Sequence, residues 1–345
     1  MPRQPFDIAE QSIKPGTVET VHLPVSALPD HTPVTLSVQV HHGRRDGPVM
    51  FVSAAVHGDE VIGVEIVRRL LRAPQLRTLR GTLLVVPVVN SFGFLNRSRY
   101  LPDRRDLNRC FPGHRSGSLG ARLAHIFLNE VVLRCDVGID LHSAAIHRTN
   151  LPQIRVSPDD SKTRDMAMAF GAPVVLSSPL RDGSLRAEAA ARGTPVLLYE
   201  AGEGLRFDEM AVRAGVAGIL RVMRSLSMLA GKGIAPAKAQ PHVCKSSTWL
   251  RAPAGGLLRT FRAEGERVEA GDVLATVSDP FGEVETDLEA PAPGILIGRA
   301  ILPVVNEGDA VFHLAALSPR AADDTVEDLA TQLERDPLFD EDEII

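Results

Sequence analysis

A histidine and a glutamate stand three residues apart at the end of an apolar run. His57 and Glu60, in the segment HGDE, directly follow residues 49–56, whose small and β-branched side chains predict a buried strand. Imidazole and carboxylate are both zinc ligands, and a catalytic zinc needs a third protein ligand and an open position for water. His142 follows another predicted strand and is the candidate third ligand. Each residue alone would also suit a surface turn, but two such strand ends in one sheet favour a metal site.

Between these strand ends lies a polar segment in which a carboxylate, an amide and a guanidinium are close together. Asp106, Asn108 and Arg109 occur in the run DLNR. A carboxylate can orient a metal-bound histidine, and a guanidinium can grip a carboxylate through two hydrogen bonds. We therefore expect these three residues at the site, whereas Arg97, Arg104 and Arg105 suit a solvated loop.

A carboxylate that could act on protons ends another predicted strand. Glu200 closes the run 194–200 and is followed by Ala201 and Gly202, which leave room for a substrate. A carboxylate in this position suits a general base beside a metal-activated water. An edge carboxylate without catalytic function is the alternative. Glu203 is a local rival that we expect to be solvated, because it lies past the strand end.

The elements that must position these residues alternate between strands and helices. Such an alternation predicts an α/β layered domain with a mainly parallel sheet, in which ligands bind beyond the carboxyl ends of the strands. Asp208 is the expected N-cap of the last helix. Residues 1–48 suggest only a polar lead-in with short extended pieces such as 35–40. Further strands are predicted at 82–89, 136–141 and 174–177, and helices at 61–72, 119–134 and 208–229.

Four motifs occur in a fixed order over residues 45–230, namely HGDE (57–60), DLNR (106–109), DLH (140–142) and EAG (200–202). Together they resemble the succinylglutamate desuccinylase/aspartoacylase family, a branch of the zinc carboxypeptidase-like hydrolases. The resemblance implies a mixed central sheet flanked by helices and one zinc ion per chain. The site residues that it implies are the zinc ligands His57, Glu60 and His142, the general acid/base Glu200, the carbonyl-polarising Arg99, the histidine-orienting Asp106, and the substrate carboxylate clamp of Asn108 and Arg109.

The same resemblance implies a zinc-dependent hydrolase that cleaves the amide bond of an N-acylated amino acid or a related small carboxylate-bearing amide. Arg181 and Arg186 could meet a second carboxylate of that substrate. Two alternatives stay open: a zinc carboxypeptidase acting on a short peptide or γ-glutamyl compound, and a metal-free binding protein that retains the pocket. Aspartoacylases place a tyrosine of the C-terminal domain over the substrate. This chain has only Tyr100 and Tyr199, so N-acetylaspartate is not assumed to be its substrate.

The C-terminal third carries a repeat of short strands and turns. Residues 252–258 (APAGGLL) are echoed at 290–296 (APAPGIL), and EAGD at 269–272 is echoed by NEGD at 306–309. This repeat predicts a small all-β barrel-sandwich domain that resembles biotinyl and lipoyl domains. Residues 249–317 contain no lysine, so the domain is not an acyl or carboxyl carrier and would instead wall the site or join subunits. We expect a catalytic domain at 1–231, a linker at 232–246, the β domain at 247–317 and an acidic tail at 318–345.

The overall charge and composition exclude several classes of protein. The 345 residues carry a formal charge of −5, which argues against nucleic acid as a partner. The N-terminus lacks the apolar core of a signal peptide, and no window of about 18 apolar residues could span a membrane. Three scattered cysteines predict a reducing compartment. We therefore expect a cytoplasmic homo-oligomer that acts on a small molecule.

Overall fold

The computed structural model describes residues 3–158, 160–237 and 239–317, so the predicted acidic tail at 318–345 lies outside the described residues. The helices are α1 (Ile62–Leu70), α2 (Ser91–Asn96), α3 (Leu119–Glu130), α4 (Ser161–Phe170), α5 (Leu185–Ala191) and α6 (Glu209–Ser225), with short 3-10 turns at Pro74–Thr78, Leu107–Arg109 and Val132–Arg134. The strands are β1 (Phe6–Ile8), β2 (Gln11–Ile13), β3 (Thr17–Ala27), β4 (Pro33–His42), β5 (Arg45–Ala54), β6 (Arg80–Val86), β7 (Val137–His142), β8 (Arg148–Val156), β9 (Val174–Ser177), β10 (Val196–Gly202), β11 (His242–Cys244), β12 (Ser247–Arg251), β13 (Gly256–Thr260), β14 (Arg267–Val268), β15 (Val273–Ser278), β16 (Glu285–Glu289), β17 (Gly294–Ala300), β18 (Val304–Val305) and β19 (Ala310–Ala316).

The central feature is one large mixed sheet whose strands follow the order β12-β19-β17-β8-β10-β7-β5-β6-β4-β3. Strands β6, β5, β7 and β10 run parallel to one another, whereas β4 and β8 pair antiparallel to the two ends of this group. The implied mixed central sheet flanked by helices is thereby confirmed. The alternation of strands and helices predicts the four parallel strands but not the antiparallel strands on either side.

Helices cover both faces of this sheet because each buries one apolar stripe against it. Helices α1, α4 and α6 pack on one face around a core that includes Ile66, Phe170 and Ile219. Helices α3 and α5 pack on the other face, where Phe51 of β5 meets Phe127 of α3. Within the described ranges, no helix is long and apolar enough to cross a membrane.

The predicted elements correspond in position to β5, β6, β7, β9, β10, α1, α3 and α6, and Asp208 caps α6 by accepting the Ala211 N–H. The interpretation of residues 1–48 as a polar lead-in is wrong, because β3 and β4 form a long antiparallel pair at the sheet edge. Strand β3 buries Val21, Leu23 and Val25 between more exposed residues, an alternation that is itself typical of a strand with one solvated face. Strand β8 is also missing from the prediction, and Pro152 interrupts its sequence RTNLPQIRV.

The C-terminal β structure that the repeat predicts is present in residues 247–317. One small sheet has the order β16-β15-β13-β18, and it packs with β12, β17 and β19 around a separate apolar core. The two halves of the repeat make equivalent contacts. The Gly271 N–H donates to the Ala290 carbonyl at 2.9 Å, and the Gly308 N–H donates to the Ala252 carbonyl at 2.9 Å. The sequence repeat is therefore a structural repeat.

The C-terminal strands continue the central sheet through the pairing of β17 with β8. In this seam Gly298 is the register partner of Asn150. The buried Gln153 of β8 donates from Nε2 to the Ile297 carbonyl at 3.0 Å. Because β8 belongs to the catalytic part of the chain, the seam ties the C-terminal β structure to the edge of the pocket described below.

We predict that Gly298→Ala lowers the free energy of unfolding by about 1–3 kcal/mol, the usual cost of overpacking. A Cβ at Gly298 would lie 2.4 Å from Asn150 Oδ1 and 3.1 Å from the Thr149 carbonyl oxygen. Gly255→Ala is the matched control, because its Cβ would meet nothing closer than 3.6 Å. Chemical denaturation measures both variants. Equal stability of the two would contradict the close approach of β17 to β8.

Candidate active site

The three predicted metal ligands converge at one edge of the central sheet. His57 follows β5, Glu60 precedes α1, and His142 is the last residue of the neighbouring parallel strand β7. Glu60 Oε1 lies 2.7 Å from His57 Nδ1, and Glu60 Oε2 lies 2.7 Å from His142 Nδ1. The ligand atoms of the three buried side chains lie within 4.8 Å of one another. Two imidazole nitrogens and a carboxylate therefore surround a position that suits a metal ion.

The turn that carries His57 and Glu60 lies close against α2. A Cβ on Gly58 would lie 2.0 Å from the Gly93 carbonyl carbon and 2.2 Å from the Phe94 amide nitrogen. Only glycine allows the two backbones to approach so closely. The glycine of HGDE thus lets the chain pass from β5 into α1 with the histidine and the glutamate on the same side.

Two aspartates hold the other nitrogen of each imidazole. Asp106 Oδ1 lies 3.1 Å from His57 Nε2, and Asp140 Oδ2 lies 2.7 Å from His142 Nε2. Ser53 Oγ donates to Asp140 Oδ1 at 2.7 Å, so this carboxylate is itself fixed. An imidazole whose Nε2–H donates to a carboxylate can present Nδ1 as a lone pair to a metal. Both histidines are therefore oriented as metal ligands.

Opposite charges shift the pKa values in this cluster. Burial opposes ionisation of Glu60, but His57 and His142 outweigh it and hold the pKa of Glu60 far below its usual range. Burial also opposes a charge on the histidines. The neighbouring carboxylates nevertheless raise the pKa of His57, and they raise that of His142 well above its usual value. Burial, assisted by the charge of Glu60, raises the pKa of Asp59. Without a metal, both histidines thus bind a proton more readily than an ordinary imidazole does.

Arg99 lies directly beside the three candidate ligands. Its Nη1 donates to Glu60 Oε1 and its Nη2 donates to Asp106 Oδ2, each at 3.2 Å. Burial opposes the charge on Arg99, but Glu60 and Asp106 outweigh it and raise the pKa of Arg99. A charged guanidinium therefore stands next to the position that a metal would occupy.

Asn108 and Arg109 occupy the 3-10 turn that Asp106 begins. Asp106 Oδ1 accepts the Asn108 N–H at 2.8 Å, and Asn108 Oδ1 accepts the Leu185 N–H at 2.9 Å. These bonds tie the turn to α5 on one side, and Asp106 ties it to the candidate metal ligand His57 on the other. Arg109 is exposed, donates to the Asn108 carbonyl, and lines the same pocket as Asn108.

Glu200 lies on β10, in register with His142 on the adjacent strand β7. Its Oε2 accepts two hydrogen bonds, from Asn150 Nδ2 at 3.0 Å and from Arg155 Nη2 at 2.6 Å. Both donors belong to β8. Two donors hold the carboxylate at the pocket, and Oε1 has no hydrogen-bond partner within the part of the chain that the structure describes.

Glu203, the rival candidate for the general base, is not solvated as the sequence predicts. Its side chain is buried, accepts the His147 N–H at 3.0 Å and pairs with Arg206 at 2.7 Å. Strand β10 continues past Glu200 to Gly202, which draws Glu203 under the loop that contains His147. Glu203 thus has a structural partner and is not among the residues that line the pocket.

The three candidate metal ligands line one pocket of about 200 Å³ together with Arg99, Asn108, Arg109 and Glu200. Arg181 also lines it, from the exposed loop before α5. Burial, followed by the charge of Arg155, lowers the pKa of Arg186 to about 10. Such crowding of guanidinium groups makes the pocket electropositive and suits a small anionic ligand. The pocket is also lined by residues that sequence patterns alone do not single out, and these include Ala144, Ala145, Arg148, Asn150, Arg155, Ser178, Ser184, Val196, Leu198 and Trp249.

Comparison with known proteins agrees with this geometry. The sequence model of the succinylglutamate desuccinylase/aspartoacylase catalytic domain matches residues 46–226, slightly more than half of the chain. The chain belongs to the succinylglutamate desuccinylase/aspartoacylase family. The matched range contains every candidate metal ligand together with Arg99, Asn108, Arg109 and Glu200.

Among relatives of this family, N-alpha-acetyl-L-2,4-diaminobutyric acid deacetylase of Halomonas elongata is 27% identical over 284 residues, which cover 79% of this chain and 83% of the relative. A succinylglutamate desuccinylase/aspartoacylase structure from Rhodobacter sphaeroides aligns with a TM-score of 0.76 at 25% identity, over 88% of this chain and 96% of that one. The product-bound ectoine utilization protein EutE (DoeB) from Ruegeria pomeroyi aligns with a TM-score of 0.79 at 23% identity, over 92% and 98% respectively. At 23% identity this last match shows the fold alone, and its coverage includes C-terminal β structure.

We predict that His57→Ala and His142→Ala each abolish stoichiometric binding of a divalent metal, tested with zinc, while the protein stays folded. Each change removes one of the three candidate ligands and leaves the apolar cores intact. Metal analysis after zinc loading and dialysis measures binding, and circular dichroism measures folding. His114→Ala, at an exposed histidine, should retain one zinc per chain. One zinc per chain in either ligand variant would exclude this site.

We also predict that zinc binding weakens as the pH falls and that it releases up to two protons per ion at neutral pH. The reason is that the pKa values of His57 and His142 are raised in the metal-free site, so protons compete with the metal for Nδ1. Calorimetric titration in two buffers of different ionisation enthalpy measures the protons released. A binding enthalpy that is independent of the buffer would contradict the protonated metal-free site.

Proposed function

We propose that this protein is a zinc-dependent hydrolase that cleaves the amide bond of an N-acylated amino acid. The observation that carries the proposal is the convergence of His57, Glu60 and His142 beside Glu200 in one pocket. Membership of the family and similarity to an N-acetyl diaminobutyrate deacetylase support hydrolysis of an acyl amide. Three free cysteines support the further proposal that the enzyme acts in the reducing cytoplasm.

The donor set fits zinc. Two imidazole nitrogens and one carboxylate oxygen, with a side open to a pocket, are characteristic of catalytic zinc sites. Asp106 and Asp140 behind the imidazoles supply the carboxylate–histidine arrangement that orients such ligands. When bound, zinc supplies Lewis-acid polarisation of the substrate carbonyl and activation of a water molecule at neutral pH.

Glu200 is proposed to take a proton from the attacking water and to return it to the leaving amine. Its Oε2 is engaged by Asn150 and Arg155, which leaves Oε1 to carry the proton. The same two bonds keep the carboxylate next to His142, its register partner in the sheet. General acid–base catalysis requires such a fixed position within hydrogen-bond reach of the reacting atoms.

Asn108 and Arg109 are proposed to bind the amino-acid carboxylate of the substrate. The exposed Arg109 guanidinium can donate two parallel hydrogen bonds to a carboxylate, and Asn108 is fixed next to it because its Oδ1 accepts the Leu185 N–H. Arg99, between Glu60 and Asp106, is proposed to polarise the scissile carbonyl. A substrate held at Arg109 would place its scissile carbonyl next to the proposed zinc site. Correct orientation of the carbonyl there contributes to the rate.

Arg181 is proposed to meet a second carboxylate of the substrate. Four pocket arginines form no ion pair with any residue that the structure describes. A substrate with a single carboxylate would therefore leave several of their positive charges without a counter-charge. Those four are Arg109, Arg148, Arg181 and Arg186. The same charges would repel the side-chain amine of an N-acetyl diaminobutyrate. We therefore propose an acidic substrate, in contrast to the substrate named for the Halomonas relative.

We predict that the zinc-loaded protein releases free acyl acid from members of a panel of N-acyl acidic amino acids, and that Glu200→Gln lowers kcat by about 10²- to 10⁴-fold. Glutamine keeps the size of the side chain but cannot accept the proton. Zinc content should stay at the wild-type level, because Glu200 is not one of the three candidate ligands. Mass spectrometry of the products measures the reaction. Release of a C-terminal amino acid from short peptides, without release of acyl acid from the panel, would instead identify a carboxypeptidase.

We predict that Arg109→Lys lowers kcat/KM by about 10- to 100-fold, mainly through KM, because lysine cannot form the two-pronged contact with a carboxylate. A substrate analogue whose amino-acid carboxylate is replaced by a carboxamide should lose far less. Arg105→Lys, at an exposed arginine of the same segment, is the matched control. Loss of the same factor on both substrates would exclude Arg109 as the carboxylate clamp.

A further inference from the structure

Residues 143–147, here called the pocket wall, connect β7 to β8 and form one side of the pocket. Ser143, Ala144 and Ala145 line it. The Ser143 N–H donates to Glu60 Oε2 at 3.3 Å, so the wall begins in contact with one of the candidate metal ligands. Because these lining side chains are small, the shape of the pocket on this side depends on how the backbone of the wall is held.

The pocket wall ends in a turn that its own residues do not stabilise. His147 has a φ of 67°, in the left-handed region that residues with a side chain disfavour. The His147 side chain is exposed, so packing of this side chain does not hold the turn. Such a conformation persists where bonds from neighbouring segments fix the backbone.

Neighbouring segments bond the backbone of the wall at two places. The His147 N–H donates to Glu203 Oε1 at 3.0 Å, and the His147 carbonyl accepts the Ile301 N–H at 2.9 Å. The Ala144 N–H donates to the Gly202 carbonyl at 3.1 Å. Of these three bonds, one is made by a side chain. Substitution of Glu203 therefore removes a support of the wall without altering the backbone of either segment.

Glu203 is a buried carboxylate whose charge has a weak counter-ion. Its Oε2 lies 2.7 Å from Arg206 Nε, but the Arg206 side chain is 72% exposed. Ion pairs with such exposed partners contribute little to stability because water screens them. Burial of a carboxylate is unfavourable unless hydrogen bonds compensate it. The bond to the His147 N–H is therefore the main stabilising contact of this carboxylate among the described residues.

The segment that carries Glu203 also contacts the turn with the metal ligands. Glu200 and Gly202 belong to β10, and Glu203 follows directly. The Leu205 N–H donates to the Asp59 carbonyl at 2.7 Å, next to the candidate ligand Glu60. Residues that follow the proposed general base thus hold the pocket wall on one side and the metal-binding turn on the other.

We propose that Glu203 is a positioning residue that fixes the pocket wall through the His147 amide and thereby sets the affinity for the substrate. The proposal rests on the proposed function and extends substrate binding to a residue outside the pocket lining. Bond cleavage depends on the metal ligands and on Glu200, which keep their own hydrogen bonds. Loss of the Glu203 acceptor therefore weakens substrate binding more than it slows the chemical step.

Two variants of nearly equal size test whether the hydrogen bond of Glu203 matters. Glu203→Met fills the same space without a strong acceptor, whereas the amide oxygen of Glu203→Gln can still accept the His147 N–H. With the best substrate from the panel of N-acyl acidic amino acids, we expect Glu203→Met to raise KM about 10-fold. The kcat and the zinc content should stay close to wild type. Glu203→Gln should restore most of the KM, and Arg206→Met, which removes the exposed partner, should leave KM unchanged.

The kinetic result that would overturn the proposal is a wild-type KM in Glu203→Met. An equal rise of KM in Glu203→Met and Glu203→Gln would overturn it too, because the acceptor would then not be the cause. A fall in kcat with unchanged KM would likewise contradict a role in substrate binding.

Hydrogen–deuterium exchange tests the wall without turnover. The peptide 143–148 should exchange faster in Glu203→Met than in wild type, because the His147 N–H loses its acceptor, and at the wild-type rate in Glu203→Gln. Unchanged exchange in the peptide 310–316, from the distant strand β19, shows that the variant is folded. Equal exchange of 143–148 in all three proteins would overturn the proposal even where the panel is hydrolysed. If the zinc-loaded wild type hydrolyses no N-acyl amino acid, the proposed function fails, and the exchange rates then decide whether Glu203 fixes the wall.

Discussion

The arrangement of the active site depends on the burial of Glu60 between two histidines. Glu60 is 1% exposed, and burying a carboxylate costs several kcal/mol unless it is paired and hydrogen-bonded. Together with Asp106 and Asp140, it gives the cluster three formal negative charges against one on Arg99. The difference of two is balanced by two protons on the histidines or by one divalent cation. The excess negative charge of the carboxylates thus explains both the raised histidine pKa values and the suitability of the site for a divalent metal ion.

Several secondary-structure elements supply the charged side chains of the candidate metal site. The two histidines come from the ends of the parallel neighbours β5 and β7, and Glu60 comes from the turn into α1. Each imidazole needs a carboxylate behind it, which Asp106 and Asp140 provide from different parts of the chain. Glu200 then joins from β10 because it is in register with His142. The parallel strands therefore align the candidate metal ligands and the proposed proton carrier.

The continuity of the sheet extends the same logic to the C-terminal region. The antiparallel strand β8 carries Asn150 and Arg155, which hold Glu200, and it also pairs with β17 of the C-terminal repeat. A distortion of the seam would therefore reach the proposed general base through one strand. The shared sheet makes Trp249 a part of the pocket.

Sequence patterns predicted the residues at the ends of the parallel strands well. A single His or Glu directly after a run of apolar residues is easy to recognise, because it marks the point where a buried strand ends. The repeat at 252–309 likewise predicted the C-terminal β structure. The patterns failed for β8, where side chains that face the pocket are polar and Pro152 breaks the apolar run. Trp249 gave no signal either, since only the three-dimensional path of the sheet brings it to the pocket. Glu203 was misjudged because β10 extends two residues further than the apolar pattern suggests.

Anomalous X-ray diffraction at the zinc absorption edge, from crystals of the zinc-loaded protein, tests the central claim most directly. The account predicts one strong peak per chain, about 2.0–2.2 Å from His57 Nδ1, His142 Nδ1 and a carboxylate oxygen of Glu60. A peak bound by other residues, or full zinc occupancy with Glu60 turned away from the ion, would contradict it.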